Sequence, residues 1–73
     1  MTNYYVGYQQ ADNEYVFVAS IDATNIKVVT NLEGAISLDT VELATDLLNL
    51  VTNAVANQDY KVLEITTTIK EVK

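Results

Sequence analysis

The chain has 73 residues, of which 49% are hydrophobic, and its ten acidic and four basic residues give a net charge of −6. We expect one domain over residues 1–73 that buries only about 60% of its unfolded surface, and the hydrophobic content argues against intrinsic disorder despite the negative charge. The acidic balance, with no arginine, disfavours direct binding to nucleic acid or to an anionic membrane and favours a basic protein partner.

The first twenty residues predict a β-hairpin. The runs NYYVGYQ and EYVFVASI alternate along the chain and are rich in aromatic and β-branched residues. Asp12 and Asn13, between the two runs, tolerate the backbone of a tight turn. In the first strand, the alternation places Tyr4, Val6 and Tyr8 on one face and Tyr5, Gly7 and Gln9 on the other. In the second strand, it places Tyr15, Phe17, Ala19 and Ile21 on one face and Val16 and Val18 on the other.

A short third strand is predicted at 26–30, after a turn at Thr24 and Asn25. Gly34 follows and is expected at a turn or bulge, where a side chain would clash. Ala35 and Ile36 then lead inward to the next element.

The stretch LDTVELATDLLNLVTNAVAN predicts an amphipathic helix. Asp39 is the expected N-cap, and Glu42 completes a capping box with it. Ser37 is an alternative cap, and Leu38 is expected to pack on Leu43 as a hydrophobic staple. The apolar half of the helical wheel contains Val41, Leu43, Ala44, Leu47, Leu48, Leu50, Val51, Ala54 and Val55.

The C-terminal run DYKVLEITTTIKEV predicts one long strand. Leu63, Ile65, Thr67 and Ile69 share a face that is expected beneath the helix. The fold class is therefore α+β: a small two-layer sandwich of order β-β-β-α-β, with an antiparallel or mixed sheet of three to four strands and one helix on one face. A single helix covers one face, so the other face is expected to stay open.

Tyrosines are concentrated in the first hairpin and suggest a contact surface. Tyrosine combines a large apolar ring with a polar tip and is enriched at protein interfaces. Because aromatic residues also favour strands, cross-strand pairing is the alternative explanation. The candidate partner-binding residues are Tyr4, Tyr5, Tyr8, Tyr15 and Tyr60.

The composition argues against an enzyme. The chain has no histidine and no cysteine, so the commonest general base, the thiolate nucleophile and the usual transition-metal ligands are missing. Its two glycines cannot build a phosphate-binding loop. We therefore expect no catalytic residue, no cofactor and no bound metal. The predicted function is a non-enzymatic protein-interaction module that binds its partner through the open tyrosine-bearing face or through an exposed strand edge.

Two further functions stay open. Carboxylates at phosphate-like spacing would suit an acidic nucleic-acid mimic that inhibits a defence nuclease or another nucleic-acid-binding protein. A homodimer joined through the open face would instead give a structural role. The acidic residues available to a mimic are Asp12, Glu14, Asp22, Glu42 and Asp46.

The frame YYVGY…EYVFVASID, the segment AISLDTVELATDLLNLV and the terminal DYKVLEITTTIKEV resemble small early-region proteins of phages and prophages of Gram-positive bacteria. The resemblance covers most of the chain and brings no functional residues with it. It implies an accessory protein of the bacterial host cytoplasm that binds and blocks a host or phage protein. The absence of cysteines and of a secretory signal in MTNYYVGYQQ fits that compartment.

Overall fold

A computed structural model describes residues 2–22, 25–54, 58–66 and 69–72. Within these residues, one α-helix packs on an antiparallel sheet of five strands in the order β3-β2-β1-β4-β5. The α+β class and the helix-on-sheet arrangement are thus confirmed, whereas the predicted number of strands was too low. The elements are β1 (Asn3–Ala11), β2 (Glu14–Asp22), β3 (Asn25–Val29), a 3-10 turn (Leu32–Gly34), α1 (Val41–Ala54), β4 (Lys61–Ile65) and β5 (Ile69–Glu71).

The additional strand comes from the C-terminal segment, which forms a hairpin instead of one long strand. Leu63 pairs with Glu71 and Ile65 pairs with Ile69 in an antiparallel ladder. The intervening residues 66–68 are all threonine and lack the Gly, Pro, Asn or Asp that normally marks a turn. Thr67, like Thr24 and residues 55–57 of the predicted helix, lies outside the described residues.

The predicted turn of the first hairpin is confirmed, but the predicted faces of β2 are wrong at one residue. Asp12 and Asn13 connect β1 to β2, and Asn13 has a left-handed φ of 61°, which asparagine tolerates well. On β2 the pairing with β3 shifts register between Val18 and Ser20, so Ala19 is an extra, bulged residue. Ile21 therefore lies on the same face as Val18, not with Phe17 as the strict alternation predicted.

β1 and β2 diverge beyond the Gly7–Phe17 pair, and a connecting segment fills the space between them. The backbone N–H of Ile36 donates to the carbonyl of Val18 at 3.0 Å. Leu38 exchanges two backbone hydrogen bonds with Tyr4, at 2.8 and 2.9 Å. Residues 36–38 thus satisfy polar groups that the divergence would otherwise leave unpaired.

The helix N-cap is Thr40, not Asp39 or Ser37. The hydroxyl oxygen of Thr40 accepts a hydrogen bond from the backbone N–H of Leu43 at 3.2 Å, the usual bond from an N-cap to the third helical residue. The predicted capping box and staple are accordingly wrong, because Leu38 is held in a bridge to Tyr4 and Leu43 points outward. Thr40 lies two residues beyond the bridge, so the backbone reaches helical geometry one residue later than predicted.

Thr40→Ala is expected to lower the free energy of unfolding by about 1 kcal/mol, since it leaves a helical N–H without its capping acceptor. Asp39→Ala serves as the matched control and is expected to change stability by less than about 0.5 kcal/mol. Urea denaturation monitored by circular dichroism measures both. Equal losses in the two variants would contradict the assignment of Thr40 as the cap.

The sheet buries an apolar cluster on each face. The helix-side core consists of Val6, Val18 and Val51, and the partly buried Ile21, Ile26, Val28, Ile36, Leu47, Leu48 and Tyr60 pack against it. The far-side core consists of Tyr5, Phe17 and Leu63, and Tyr15, Ala35 and Ile65 pack against it. The prediction that the face opposite the helix stays open is therefore wrong.

The faces of β4 are also the reverse of the prediction. Val62 pairs with Val6, which belongs to the helix-side core, and is completely buried. Leu63 pairs with Tyr5 on the far face and is equally buried. Alternation correctly separated the two sets of residues, but it did not indicate which set the helix covers, since both are apolar.

Candidate interaction surface

The five tyrosines are divided between the two faces of the sheet and do not form one patch. Tyr5 is only 6% exposed, and its ring meets Phe17 edge to face with the centroids 5.7 Å apart. Tyr15 is half-buried against the same far-side core. Tyr5 is consequently a core residue in this fold and offers no surface to a partner.

The remaining tyrosines lie on the helix-side face and make defined contacts within the protein. The rings of Tyr8 and Tyr60 meet edge to face with a centroid separation of 5.3 Å. Burial is the main cause that raises the pKa of Tyr60, and the proximity of Tyr8 is the second cause. The Tyr4 hydroxyl donates to Oε1 of Glu64 at 3.3 Å. Loss of hydration, followed by the carboxylates of Glu64 and Glu42, raises the pKa of Tyr4. These tyrosines are half-buried, so only part of each ring is available as a contact surface.

The acidic residues named as a candidate mimic surface are all exposed but lie in separate places. Asp12 and Glu14 are at the β1–β2 turn, whereas Asp22 is at the other end of β2. A strand of this length separates its ends by roughly 25 Å. Glu42 and Asp46 lie on α1, which packs on the helix-side face. The structure therefore does not align the five carboxylates in one row.

No metal site or catalytic constellation is found in the part of the chain that the structure describes. Groups of three or more His, Cys, Asp or Glu side chains that could hold a metal ion are absent from these residues. A depression of about 340 Å³ lies at the hairpin end, lined by Gln10, Asn13, Glu14, Tyr15 and Thr30. Its lining contains one carboxylate and no second titratable partner suited to acid–base catalysis at neutral pH.

The outer flank of α1 carries the most exposed leucines in the described residues. Leu43 is 49% exposed and Leu50 is 58% exposed, whereas Leu47, between them, is half-buried. Spacings of four and three residues align these side chains along one flank of a helix. We refer to Leu43, Leu47 and Leu50 as the leucine ridge.

The leucine ridge faces the β2–β3 side of the sheet. The helix begins close to Tyr4, through the bridge at Leu38, and its later turns pack near Tyr60, so α1 runs along β1. For a right-handed helix in this direction, the ridge lies on the flank toward β3. Leu47 accordingly packs against the same core as Ile26 and Val28 of β3.

Strand β3 is one edge of the sheet, and no described residue pairs with its outer side. The carbonyl of Val18 accepts its hydrogen bond from Ile36, on the side of β2 away from β3. Val18 and its partner Val28 are therefore a non-hydrogen-bonded pair, so Val28 directs its N–H and C=O outward. Alternation along the regular strand gives Ile26 the same orientation and turns Lys27 toward β2.

We give the name α1–β3 groove to the surface formed by the leucine ridge and by the two β3 residues whose backbone N–H and C=O groups point away from β2. It comprises Leu43, Leu47, Leu50, Ile26 and Val28. Its lining is aliphatic, and its two β3 residues are half-buried. The groove thus combines an apolar wall with a row of unpaired backbone groups.

The rim of the groove is acidic. Asp46 lies three residues after Leu43 and four before Leu50, which makes it a surface neighbour of both. The sequence of α1 contains no lysine or arginine. Lys27 on β3 belongs to the far face, because it alternates with Ile26 and Val28. A basic side chain from a partner would therefore meet no opposing cation at this rim.

The helical periodicity of the sequence places the ridge leucines in the apolar half of the helix and predicts that all of them pack on the sheet. The signal that could have identified the groove is the width of that apolar half. It exceeds what contact with a single sheet needs, so some of its members must be left exposed.

The chain matches no protein-family model, no curated protein and no solved structure. Within the described residues, no helix has both the length and the apolar character needed to cross a membrane.

Proposed function

We propose that this protein is a non-enzymatic interaction module that binds another protein through the leucine ridge of α1. The observation that carries the proposal is the exposure of Leu43 and Leu50, at 49% and 58%, on one flank of an otherwise acidic and polar outer helix face. A single exposed leucine is ordinary on a protein surface. Here two of them continue through Leu47 to the aliphatic residues of β3, and contiguous apolar patches of this kind mark interaction sites.

Charge favours a basic partner. The protein carries −6 overall, and Asp46 lies beside both exposed leucines. Complementary charge accelerates encounter and selects among partners, while the buried apolar contact supplies most of the affinity. A surface with a small aliphatic patch and neighbouring lysines or arginines fits both features.

The alternatives receive less support. A nucleic-acid mimic needs its carboxylates in one row, whereas Asp12 and Asp22 lie at opposite ends of β2. A homodimer through the ridge would bring Asp46 of two copies together between chains that each carry −6. The phage setting and the cytoplasmic location rest on the resemblance of the sequence and stay predictions.

The double substitution Leu43→Ser with Leu50→Ser is expected to abolish capture of the partner without unfolding the protein. Both side chains are largely solvated in the monomer, so their loss removes contact area for the partner and little of the core. Loss of two interface leucines weakens binding by at least about tenfold. Quantitative mass spectrometry of proteins retained from a Gram-positive bacterial lysate provides the measurement.

The matched control is Asn49→Ser with Asn53→Ser, two exposed polar positions on the same helix. It should retain the partner at the wild-type level, and raised salt should weaken but not eliminate retention, because the apolar contact is not screened. If the leucine variant retains every protein that the wild type retains, the ridge is not the binding surface and the proposal fails.

A further inference from the structure

We infer that the partner contributes an extended segment, which adds to the outer edge of β3 as a further antiparallel or parallel strand and places its apolar side chains in the α1–β3 groove. This inference rests on the proposed function and specifies how the same surface recognises its partner. Strand addition is an established mode in which main-chain hydrogen bonds supply affinity and alternate side chains supply specificity.

The first support comes from the backbone of β3. Val28 turns its N–H and C=O away from the sheet, because the carbonyl of Val18, its cross-strand partner, is already bonded to Ile36 at 3.0 Å. Ile26 has the same orientation. An added strand can therefore exchange hydrogen bonds with two residues of β3 without disturbing any bond that the fold already makes.

The second support comes from the side chains. In an added strand, alternate residues project toward the helix-side face and lie about 4.8 Å beyond the side chains of Ile26 and Val28. That position adjoins the flank of α1 that carries Leu43 and Leu50. The exposed leucines are thus placed to cover the apolar side chains of the arriving segment from above, as α1 covers Val18 and Val6 within the protein.

The third support is charge. Asp46 borders the groove, and no cation lies on α1, so the segment should carry a lysine or arginine next to its apolar residues. Residues on the opposite face of the added strand would lie beside Lys27, where a polar or acidic side chain is favoured. The expected recognition pattern is therefore two aliphatic residues separated by one polar or acidic residue, with a flanking basic residue.

A second copy of this chain fits the groove less well than a separate basic segment. Pairing of two β3 strands centred on Lys27 would place two lysines directly opposite each other, which is destabilising. Any such pairing also joins two chains of charge −6. We therefore assign the groove to an extended segment of another protein.

The test is a selection of random linear peptides displayed on phage against the immobilised full chain. The consensus should show alternating aliphatic residues with a basic neighbour, and the synthetic consensus peptide should bind in a fluorescence-polarisation assay. N-methylation of the peptide amides that face β3 should weaken binding by at least about tenfold, while methylation of the intervening amides should not. Leu43→Ser with Leu50→Ser should weaken it similarly.

A protein-side variant gives a second measurement. Val28→Pro removes the outward N–H donor at an edge position that tolerates proline, whereas Val28→Ala keeps the donor and shortens the side chain. Affinity for the consensus peptide should fall more in the proline variant. The free protein should also show rapid amide hydrogen exchange at Ile26 and Val28, slow exchange at Lys27 and Val29, and protection of the first pair when peptide is bound.

Four outcomes would overturn the inference. A consensus with helical spacing whose binding ignores N-methylation would show a helix on the ridge, and the proposed function would survive. Failure to enrich any peptide, or concentration-dependent dimerisation that protects Ile26 and Val28, would remove the extended segment as occupant. Undiminished peptide binding by the Leu43→Ser, Leu50→Ser variant would contradict the proposed function as well.

Discussion

Gly7→Ala is expected to lower the free energy of unfolding sharply, by at least about 3 kcal/mol. A Cβ atom built on Gly7 overlaps the backbone carbonyl oxygen of Val16 and lies 3.0 Å from its carbonyl carbon and 3.1 Å from Cα of Phe17. These are backbone atoms of the neighbouring strand and cannot rotate away. Relief would require β1 and β2 to separate at the point where their pairing ends, at a loss of at least about 3 kcal/mol.

Gly34→Ala is the matched control. A Cβ at Gly34 meets only the side chain of Val29, at 3.7 Å, which is ordinary contact, and the backbone φ there is not positive. Stability should change by less than about 1 kcal/mol, with a slight gain available from the stiffer unfolded chain. Thermal and urea denaturation of both variants provide the comparison. A Gly7→Ala protein as stable as Gly34→Ala would contradict the close approach of β1 to β2.

Leu63→Ala is expected to lower the free energy of unfolding by about 3 kcal/mol. Leu63 is fully buried on the face opposite the helix, in one core cluster with Tyr5 and Phe17. Truncation removes its apolar contacts and leaves a cavity that the surrounding rings fill only in part. Because a domain of this size is stabilised by about 5 to 10 kcal/mol, the variant should have a much lower denaturation midpoint.

Ile69→Ala, on the partly exposed strand β5, controls for loss of an aliphatic β-residue outside a core and should cost less than about 1 kcal/mol. Chemical denaturation of the two variants at equal protein concentration shows whether the far-side core contributes to stability. If the two losses of stability are equally small, the face opposite the helix is open, as the two-layer pattern of the sequence predicts, and the far-side core does not contribute to stability.

Local patterns predicted the first hairpin and the helix because their signals lie within a few residues. Alternation identified both faces of β1, and Asp12 with Asn13 indicated the turn, where Asn13 adopts its left-handed conformation. The helix followed from the spacing of its aliphatic residues. Each of these features depends on backbone preferences and side-chain periodicity that act locally.

The predictions that were wrong concern features that depend on contacts between distant residues. The bulge at Ala19 and the threonine-only connection after β4 carry no distinctive residue type. The choice of Thr40 over Asp39 as the cap follows from the bridge that holds Leu38 against Tyr4. Periodicity cannot report such constraints, since they arise only when the strands have assembled.

The candidate surface was predictable only in part. The wheel of α1 placed Leu43 and Leu50 among the apolar residues, but sequence alone could not show that the sheet covers Ala44 and Val51 and leaves these leucines out. The concentration of tyrosines in the first hairpin predicted a contact surface there, although the structure places Tyr5 in the far-side core. Exposure beside a free strand edge is a property of the tertiary fold.

We propose that the α1–β3 groove is the surface that recognises a partner. Backbone amide NMR spectra of the full chain, titrated with the consensus peptide from the display selection, test it most directly. We expect the largest shift changes at Ile26, Val28, Leu43, Leu47 and Leu50, with little change at the β1–β2 turn. Changes concentrated at Tyr4, Tyr8 and Tyr60 instead, with the groove unaffected, would contradict the claim and restore the tyrosines as the contact surface.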